Sequence, residues 1–307
     1  MSSSSIGTDV ERAVVVLRAG GLVGLPTETV YGLAADARNE DAVRRVFATK
    51  GRPLGHPLIV HVADVDEARR WASEWPIPAD LLVERFWPGP LTVIVRRRED
   101  VLDVVTGGRD TVAVRVPDHP LAQALLRSFG GGLVAPSANQ FGRVSPTTAR
   151  HVVDDLGDAV GYVLDGGPCT IGVESTIVDC SVDPPQVLRP GAVSDVEVRQ
   201  AIGSLDPASG PSRAPGMLAS HYAPSCEVVP VESLAEAERL LAPTTVHSDT
   251  VILDASLDPV RFASRLYAEL RRCDAEGLRR VVIVLPPDDG IGRALRDRIT
   301  KAAAPRQ

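Results

Sequence analysis

Two stretches of the chain follow one pattern: "GGLVGLPTET", beginning at Gly20, and "GGLVAPSANQ", beginning at Gly131. Each follows a segment with helical spacing of apolar residues, passes through a short apolar run, and stops at proline followed by a hydroxyl residue. Glycine ends a helix because it enters left-handed backbone without a Cβ clash. Proline ends strand pairing because it has no N–H to give to the ladder. A helix–strand unit used twice in this way points to an α/β sheet. It predicts that the hydroxyls of Thr27 and Ser137 emerge at strand ends, where open α/β sheets bind ligands. Either segment alone reads equally well as a plain turn; the pair argues for a site.

The rest of the chain keeps the alternation. Thr8 and Glu11 have capping-box spacing for a first helix that stops at Gly20-Gly21, and residues 22–25 read as a short buried strand. Asn39 caps a helix running to Lys50, with Ala42, Val43, Val46 and Phe47 as its apolar stripe. Residues 58–62 read as the next strand, and Asp64 and Glu67 open another helix. "GPLTVIVRR" and "DTVAVRVP" have the β-branched content of strands. A helix follows over 120–129, and "TIVD" and "PQVLRP" read as later strands. This is a twisted α/β sheet covered by helices.

At 307 residues the chain exceeds one core of ordinary size and suits about two domains. Between Gly203 and Pro224 the alternation breaks. "GSLDPASGPSRAPGMLASHYAP" is rich in Gly, Pro and Ser and reads as a linker, though "PGM" and "HYAP" carry more aromatic and cationic character than a spacer needs. Beyond it, strands over 226–229, 251–253 and 280–285 alternate with helices over 233–240, 259–272 and 291–303. That is the pattern of a small parallel α/β (Rossmann-like) domain. The expected division is 1–205, a linker over 206–224, and 225–307.

A net charge of −7 argues against a general nucleic-acid coat but leaves room for a local cationic pocket. Cys169, Cys180, Cys226 and Cys273 have neither zinc-site nor redox-dithiol spacing and fit a reducing cytoplasm. The first residues, "MSSSSIGTDVER", lack the basic-then-apolar order of a secretory signal, and no apolar run approaches the ~20 residues that span a bilayer. The expectation is a cytoplasmic protein without a membrane.

No GxxxxGK[ST] loop, GxGxxG, HExxH or GxSxG is present. The chemistry-bearing set is cationic instead. Lys50 and Arg52 stand two residues apart just past a helix, in "KGRPLGHPLIVH". They either offset the helix dipole or project into one cavity, where lysine offers a mobile point charge and arginine a rigid fork. Arg115 sits among valines in "VAVRVP" and needs a buried partner or an anionic ligand. Arg189 in "VLRPG" repeats the situation. Around them lie Thr29, Thr111, Ser137, Ser145 and Ser175, short polar groups able to hold phosphate oxygens.

In order along the chain, "LPTETVYGLAADA", "KGRPLGHPLIVHV", "FWPGPLTVIV", "TVAVRVPDHP", "APSANQFGRVSPT", "GVESTIVD" and "VLRPG" resemble the YrdC-type domain of the L-threonylcarbamoyladenylate synthases. "APGMLASHYAP" and "IGRALRDRITKAA" are similar to the linker and carboxy-terminal domain of that family's two-domain members. The resemblance implies a YrdC-like catalytic domain that makes threonylcarbamoyl-AMP and pyrophosphate from L-threonine, bicarbonate and ATP, with magnesium on the phosphates. The product would pass to a transferase that modifies tRNA, with no stable nucleic-acid complex required. It implies that Thr29, His61, Arg115, Ser175 and the backbone at Ala135 hold threonine. Arg52, Thr111, Ser137, Ser145 and Arg189 would hold ATP, with Tyr222 in the linker closing over the nucleotide. Lys50 matches the family's phosphate-facing lysine, so Lys50 and Arg52 would carry the catalytic charge.

One position departs from the pattern: His56 stands where the family usually has asparagine. As a nucleotide contact it predicts ATP affinity that changes between about pH 6 and 7.5. No residue pattern names a magnesium ligand or a general base; Glu28 reads equally as a structural acceptor. The rival reading is a tRNA- or double-stranded-RNA-binding module without turnover. It predicts affinity that falls steeply with salt.

Overall fold

The computed structural model describes residues 5–209, 222–241 and 249–304. Among them the strands fall in two sheets. The larger contains β1 (Ser5–Gly7), β2 (Val23–Leu25), β3 (Gly32–Asp36), β4 (Ile59–His61), β5 (Leu91–Arg96), β6 (Thr111–Arg115), β7 (Leu133–Val134), β8 (Tyr162–Leu164), β9 (Thr176–Asp179), β10 (Gln186–Arg189) and β11 (Asp206–Pro207). Their order across the sheet is β1-β8-β2-β3-β7-β4-β6-β5-β9-β10-β11, with parallel and antiparallel pairs mixed. The smaller, wholly parallel sheet has β12 (Glu227–Val231), β13 (Thr250–Asp254) and β14 (Arg280–Val284), with β14 in the middle.

The repeated Gly-Gly motif explains the centre of the large sheet. β2 and β7 each pair antiparallel with β3, from its two sides, so they run parallel to one another. Their proline ends therefore leave the sheet on the same side. The crossing is sealed by backbone bonds from Leu33 N to the Pro136 carbonyl (2.7 Å) and from Ala138 N to the Tyr31 carbonyl (2.8 Å). Gly132 is needed for packing: a Cβ there would run into the Trp71 indole and Val60.

The helix Glu40–Lys50 is capped by Asn39, whose side chain accepts from Ala42 N, and ends at Gly51 in left-handed conformation with φ 62°. The stripe Ala42, Val43, Val46 and Phe47 is buried. The helix Pro120–Phe129 has the expected bounds. The first helix departs from expectation. It spans Val10–Arg18 and is capped by Asp9, which accepts from Arg12 N at 3.0 Å, so Thr8 stands one residue too early for the capping box. Strand β3 was not legible, because Gly32, Leu33 and two alanines lack β-branching; its place is set by β2 and β7 on either side.

Each element expected beyond residue 225 is present with ends shifted by up to three residues. The two units meet closely. Gly172, at φ 80°, approaches the backbone of Ala263 and Ser264, where any Cβ would clash. Arg271 grips Asp155 with both terminal nitrogens (2.9 and 2.6 Å) and also donates to the carbonyls of Val144 and Ser145. Most of the expected linker, including Pro215, Gly216, Met217 and His221, lies outside the described residues; Tyr222 to Pro224 is described. No helix among the described residues is long and apolar enough to cross a membrane.

Candidate active site

The cleft of interest has an empty volume of about 600 Å³, part of it open to solvent, and lies against one face of the large sheet. Alternation along the strands builds that face. Ile59 and His61 on β4, and Ala113 and Arg115 on β6, point the same way, and His61 is in register with Arg115 on the parallel neighbour. With Ile94, Ile177 and Leu188, the residues Ile59 and Ala113 form a small apolar cluster on these strands. The ligand surface is thus a sheet face as well as the strand ends predicted from the two prolines.

One end of the cleft is a preset hydroxyl and guanidinium cage. Thr27 Oγ1 donates to the Val30 carbonyl at 2.6 Å, accepts from the amides of Thr29 and Val30, and lies 2.9 Å from Thr29 Oγ1. Arg115 donates Nη1 to Thr29 Oγ1 (2.9 Å), Nη2 to Glu28 Oε1 (2.6 Å) and Nε to the Gly89 carbonyl (3.2 Å). The buried arginine therefore has a carboxylate partner, and Glu28 is that structural acceptor. His61 is buried beside it. Burial and the Arg115 charge push its pKa down to about 3, so the imidazole is uncharged at neutral pH. Ala135 N donates to the Ile59 carbonyl, which leaves the Ala135 carbonyl as its group for a ligand.

The other end gathers Arg52, Arg189, Glu174, Ser175 and Tyr222. Arg52, 8% exposed, donates Nη2 to the Pro57 carbonyl at 3.0 Å and lies 5.7 Å from the Phe141 ring centre, and its buried Nε has no hydrogen-bond partner. Burial first, and then Arg189, pull its pKa down to about 10 despite the opposing effect of Tyr222. Arg189 donates Nε to the Ser175 carbonyl and Nη2 to Ser175 Oγ, both at 3.0 Å. Glu174 would be raised by burial, but Arg298, Arg189 and the Ser145 hydroxyl overcome this and hold it at about 2. Tyr222 sits at φ 63°, 1% exposed, with its ring stacked 5.6 Å from that of Tyr267.

Nine of the thirteen sequence-predicted residues line this one cleft: Thr29, His61, Arg115, Ala135 and Ser175 of the set expected for threonine, and Arg52, Ser137, Arg189 and Tyr222 of the set expected for ATP. Four do not. Lys50 was expected to face phosphate, but its ammonium is buried beneath the wall and donates to the Ser137 and Asn139 carbonyls; burial and Arg52 hold its pKa well below the ordinary range. Ser145 lies behind Glu174, donating to Oε1 at 2.7 Å. Thr111 begins β6, four residues before Arg115, on the same face by alternation but beyond the wall. His56 stands at the rim, edge-on to Phe141 at 5.5 Å. Burial, Arg52 and Arg109 all lower its pKa from the ordinary histidine value.

Sequence reasoning assigned no role to Glu174, Tyr267 or Arg298. Glu174 lay inside the quoted "GVESTIVD", where a charge beside a core strand is the same signal that singled out Arg115. Arg298 lay inside the quoted "IGRALRDRITKAA" and Tyr267 outside any quoted stretch, and neither suggested a role, because a polar residue in an amphipathic helix reads as solvent-facing.

A family model described as telomere recombination matches residues 15–191, and one described as the C-terminal domain of threonylcarbamoyl-AMP synthase matches residues 192–304. A Bacillus subtilis protein named threonylcarbamoyl-AMP synthase is 38% identical over 97% of this chain and 93% of its own length. A Pyrococcus abyssi protein of the same name is 40% identical over 94% and 92%. The crystal structure of P. abyssi Sua5 complexed with L-threonine superposes with a TM-score of 0.93 at 36% identity, covering 98% of this chain and 97% of that one.

Proposed function

The chain belongs to the threonylcarbamoyl-AMP synthase family, a family of ATP-dependent nucleotidyltransferases, and from that premise we propose how its own residues carry the reaction. Threonine lies at the Thr29–His61–Arg115 end, its carboxylate near the Arg115 fork and its ammonium toward the Ala135 carbonyl. The nucleotide lies along the sheet face, its phosphates between Arg52, Arg189, Ser137 and Ser175, with Tyr222 from the linker closing over it. Bicarbonate enters between the two. The threonine amine, once deprotonated, takes up bicarbonate with loss of water; the carbamate oxygen then attacks the α-phosphorus, forming threonylcarbamoyl-AMP as the bond to pyrophosphate breaks.

The observation that carries this reading is the charge of the cleft. Arg52, Arg115 and Arg189 line it and Arg298 backs it, all buried, against two buried carboxylates, Glu28 and Glu174. Buried cations in excess, with one guanidinium N–H lacking any partner, call for an anion. Such transfer depends on alignment and on fixed positive charge where negative charge develops.

Magnesium does not fit a resident protein site here. Among the described residues no three His, Cys, Asp or Glu side chains group to hold a metal; Glu174, which lines the cleft, is held by Arg298, and Glu28 beside it gives Oε1 to Arg115 while its buried Oε2 has no hydrogen-bond partner. The ion would belong to the nucleotide substrate, carried on phosphate oxygens and water.

The product is a mixed anhydride and unstable in water, so it passes to a transferase that accepts an activated carbamoyl group. The four buried, free cysteines support a reducing, cytoplasmic setting. We propose that the chain divides into a catalytic unit over 1–205, a linker over 206–224 that covers the site, and a unit over 225–307. The assay is pyrophosphate release from ATP with threonine and bicarbonate. Release that requires both co-substrates supports the reading, and release that ignores threonine overturns it.

A further inference from the structure

The carboxy-terminal unit reaches the cleft through two side chains. Arg298, on the helix Gly290–Ala303, is wholly buried; its Nε donates to Glu174 Oε2 at 2.8 Å and its Nη2 to the Pro190 carbonyl at 3.0 Å. Its guanidinium lies 5.3 Å from the centre of the Tyr222 ring. Tyr267, on the helix Pro259–Ala275, donates its hydroxyl to the same Glu174 oxygen at 2.8 Å. Ser145 donates to the other oxygen.

Glu174 is therefore held from three directions, yet it lines the cleft. The residue after it, Ser175, receives both the Nε and the Nη2 of Arg189. A carboxylate released at this point would draw Arg189 toward itself, because opposite charges attract strongly where water is excluded. That would turn the fork away from an incoming phosphate.

We propose that Arg298 and Tyr267 are positioning residues for the nucleotide: by holding the Glu174 carboxylate from behind, they keep Arg189 on Ser175 and facing phosphate. The carboxy-terminal unit then sets the charge balance of the catalytic cleft. The inference rests on the reading of Arg189 as a nucleotide contact.

The test uses the full chain and threonine-dependent pyrophosphate release, with melting temperature measured alongside. Tyr267→Phe removes one donor and keeps the ring stack. The KM for ATP should rise about three- to tenfold with the KM for threonine unchanged, while the melting temperature falls by a few degrees at most. Arg298→Met should raise the KM for ATP by about tenfold or more, and Glu174→Gln in the same chain should restore part of it, since an amide does not attract Arg189. If Arg298→Met does not fold, Tyr267→Phe decides alone. Wild-type ATP KM in the folded variants, or equal losses for threonine and ATP, overturns the positioning role. Arg189→Met separates the two readings. If it leaves the ATP KM unchanged, the nucleotide assignment itself fails. If it raises the ATP KM while Tyr267→Phe and Arg298→Met remain at wild type, only the positioning role falls.

Discussion

Arg115 Nη2 lies 2.6 Å from Glu28 Oε1, with both side chains almost wholly buried at one end of the cleft. Arg115 is thus a guanidinium already aimed by a carboxylate, a hydroxyl and a carbonyl. Aiming in advance costs the protein the desolvation of both charges but spares a bound carboxylate the reorganisation.

Removing one member of that pair should be worse than removing both. Arg115→Met leaves Glu28 buried without its cation and should lose about 3–5 kcal/mol of stability, whereas Arg115→Met with Glu28→Gln should recover most of it. Urea unfolding of the three proteins reads this directly. Threonine affinity should remain weak in both variants, because the fork is absent from each. Equal stability of the single variant and the wild type would mean the pair is not buried as described.

His61 makes stability depend on pH. Its pKa falls from 6.5 in the unfolded chain to about 3 in the fold, through burial and the neighbouring Arg115. Between those values the unfolded chain binds a proton that the folded chain refuses. Stability is therefore full above about pH 6.5 and falls as pH drops, by about 1.4 kcal/mol per pH unit for this group. His151, lowered to about 4 by burial and Arg271, adds a smaller loss of the same sign because it is partly solvated. Urea midpoints at about pH 7.5 and about pH 5 should differ less in His61→Gln than in the wild type. Parallel slopes would place the imidazole in water.

His56 should tune nucleotide affinity less at neutral pH than an ordinary histidine would. Burial, Arg52 and Arg109 all lower its pKa from 6.5, so protonation is shifted toward lower pH. Any gain in ATP affinity from a positive charge moves with it. Titrations of ATP binding for the wild type and His56→Asn should part increasingly as pH falls. A difference confined to the neutral range would restore the expectation from sequence.

Lys50 should matter to the fold more than to the phosphates. Its ammonium holds the Ser137 and Asn139 carbonyls, and so fixes the segment that carries Ser137 into the cleft. Lys50→Met leaves those acceptors buried and should lose about 1–3 kcal/mol, with activity falling as folded protein is lost. A variant that melts like the wild type but does not turn over would return Lys50 to the chemistry.

Much of the site was legible because buried charge is costly and therefore conspicuous. Arg115 among valines and Arg189 before proline both advertised partners, and both line the cleft. The two Gly-Gly strands also announced a shared edge. Lys50 and Arg52 show the limit. They stand two residues apart in sequence, yet Gly51 in left-handed backbone separates their directions, and only Arg52 reaches the cleft wall.

Local chemistry along the chain fixed most helices and strands, though not the helices Ile77–Phe86, Ala149–Leu156 and Asp195–Ile202, together with the breaking residues and the cationic character of the site, since these depend on periodicity, caps and the cost of burying charge among near neighbours. Only the tertiary structure decided which acid meets which base. Glu28 pairs with Arg115 across 87 positions, and Glu174 with Arg298 across 124. Such pairs form only because packing excludes water from the places where distant segments meet, and no spacing in the sequence encodes that encounter.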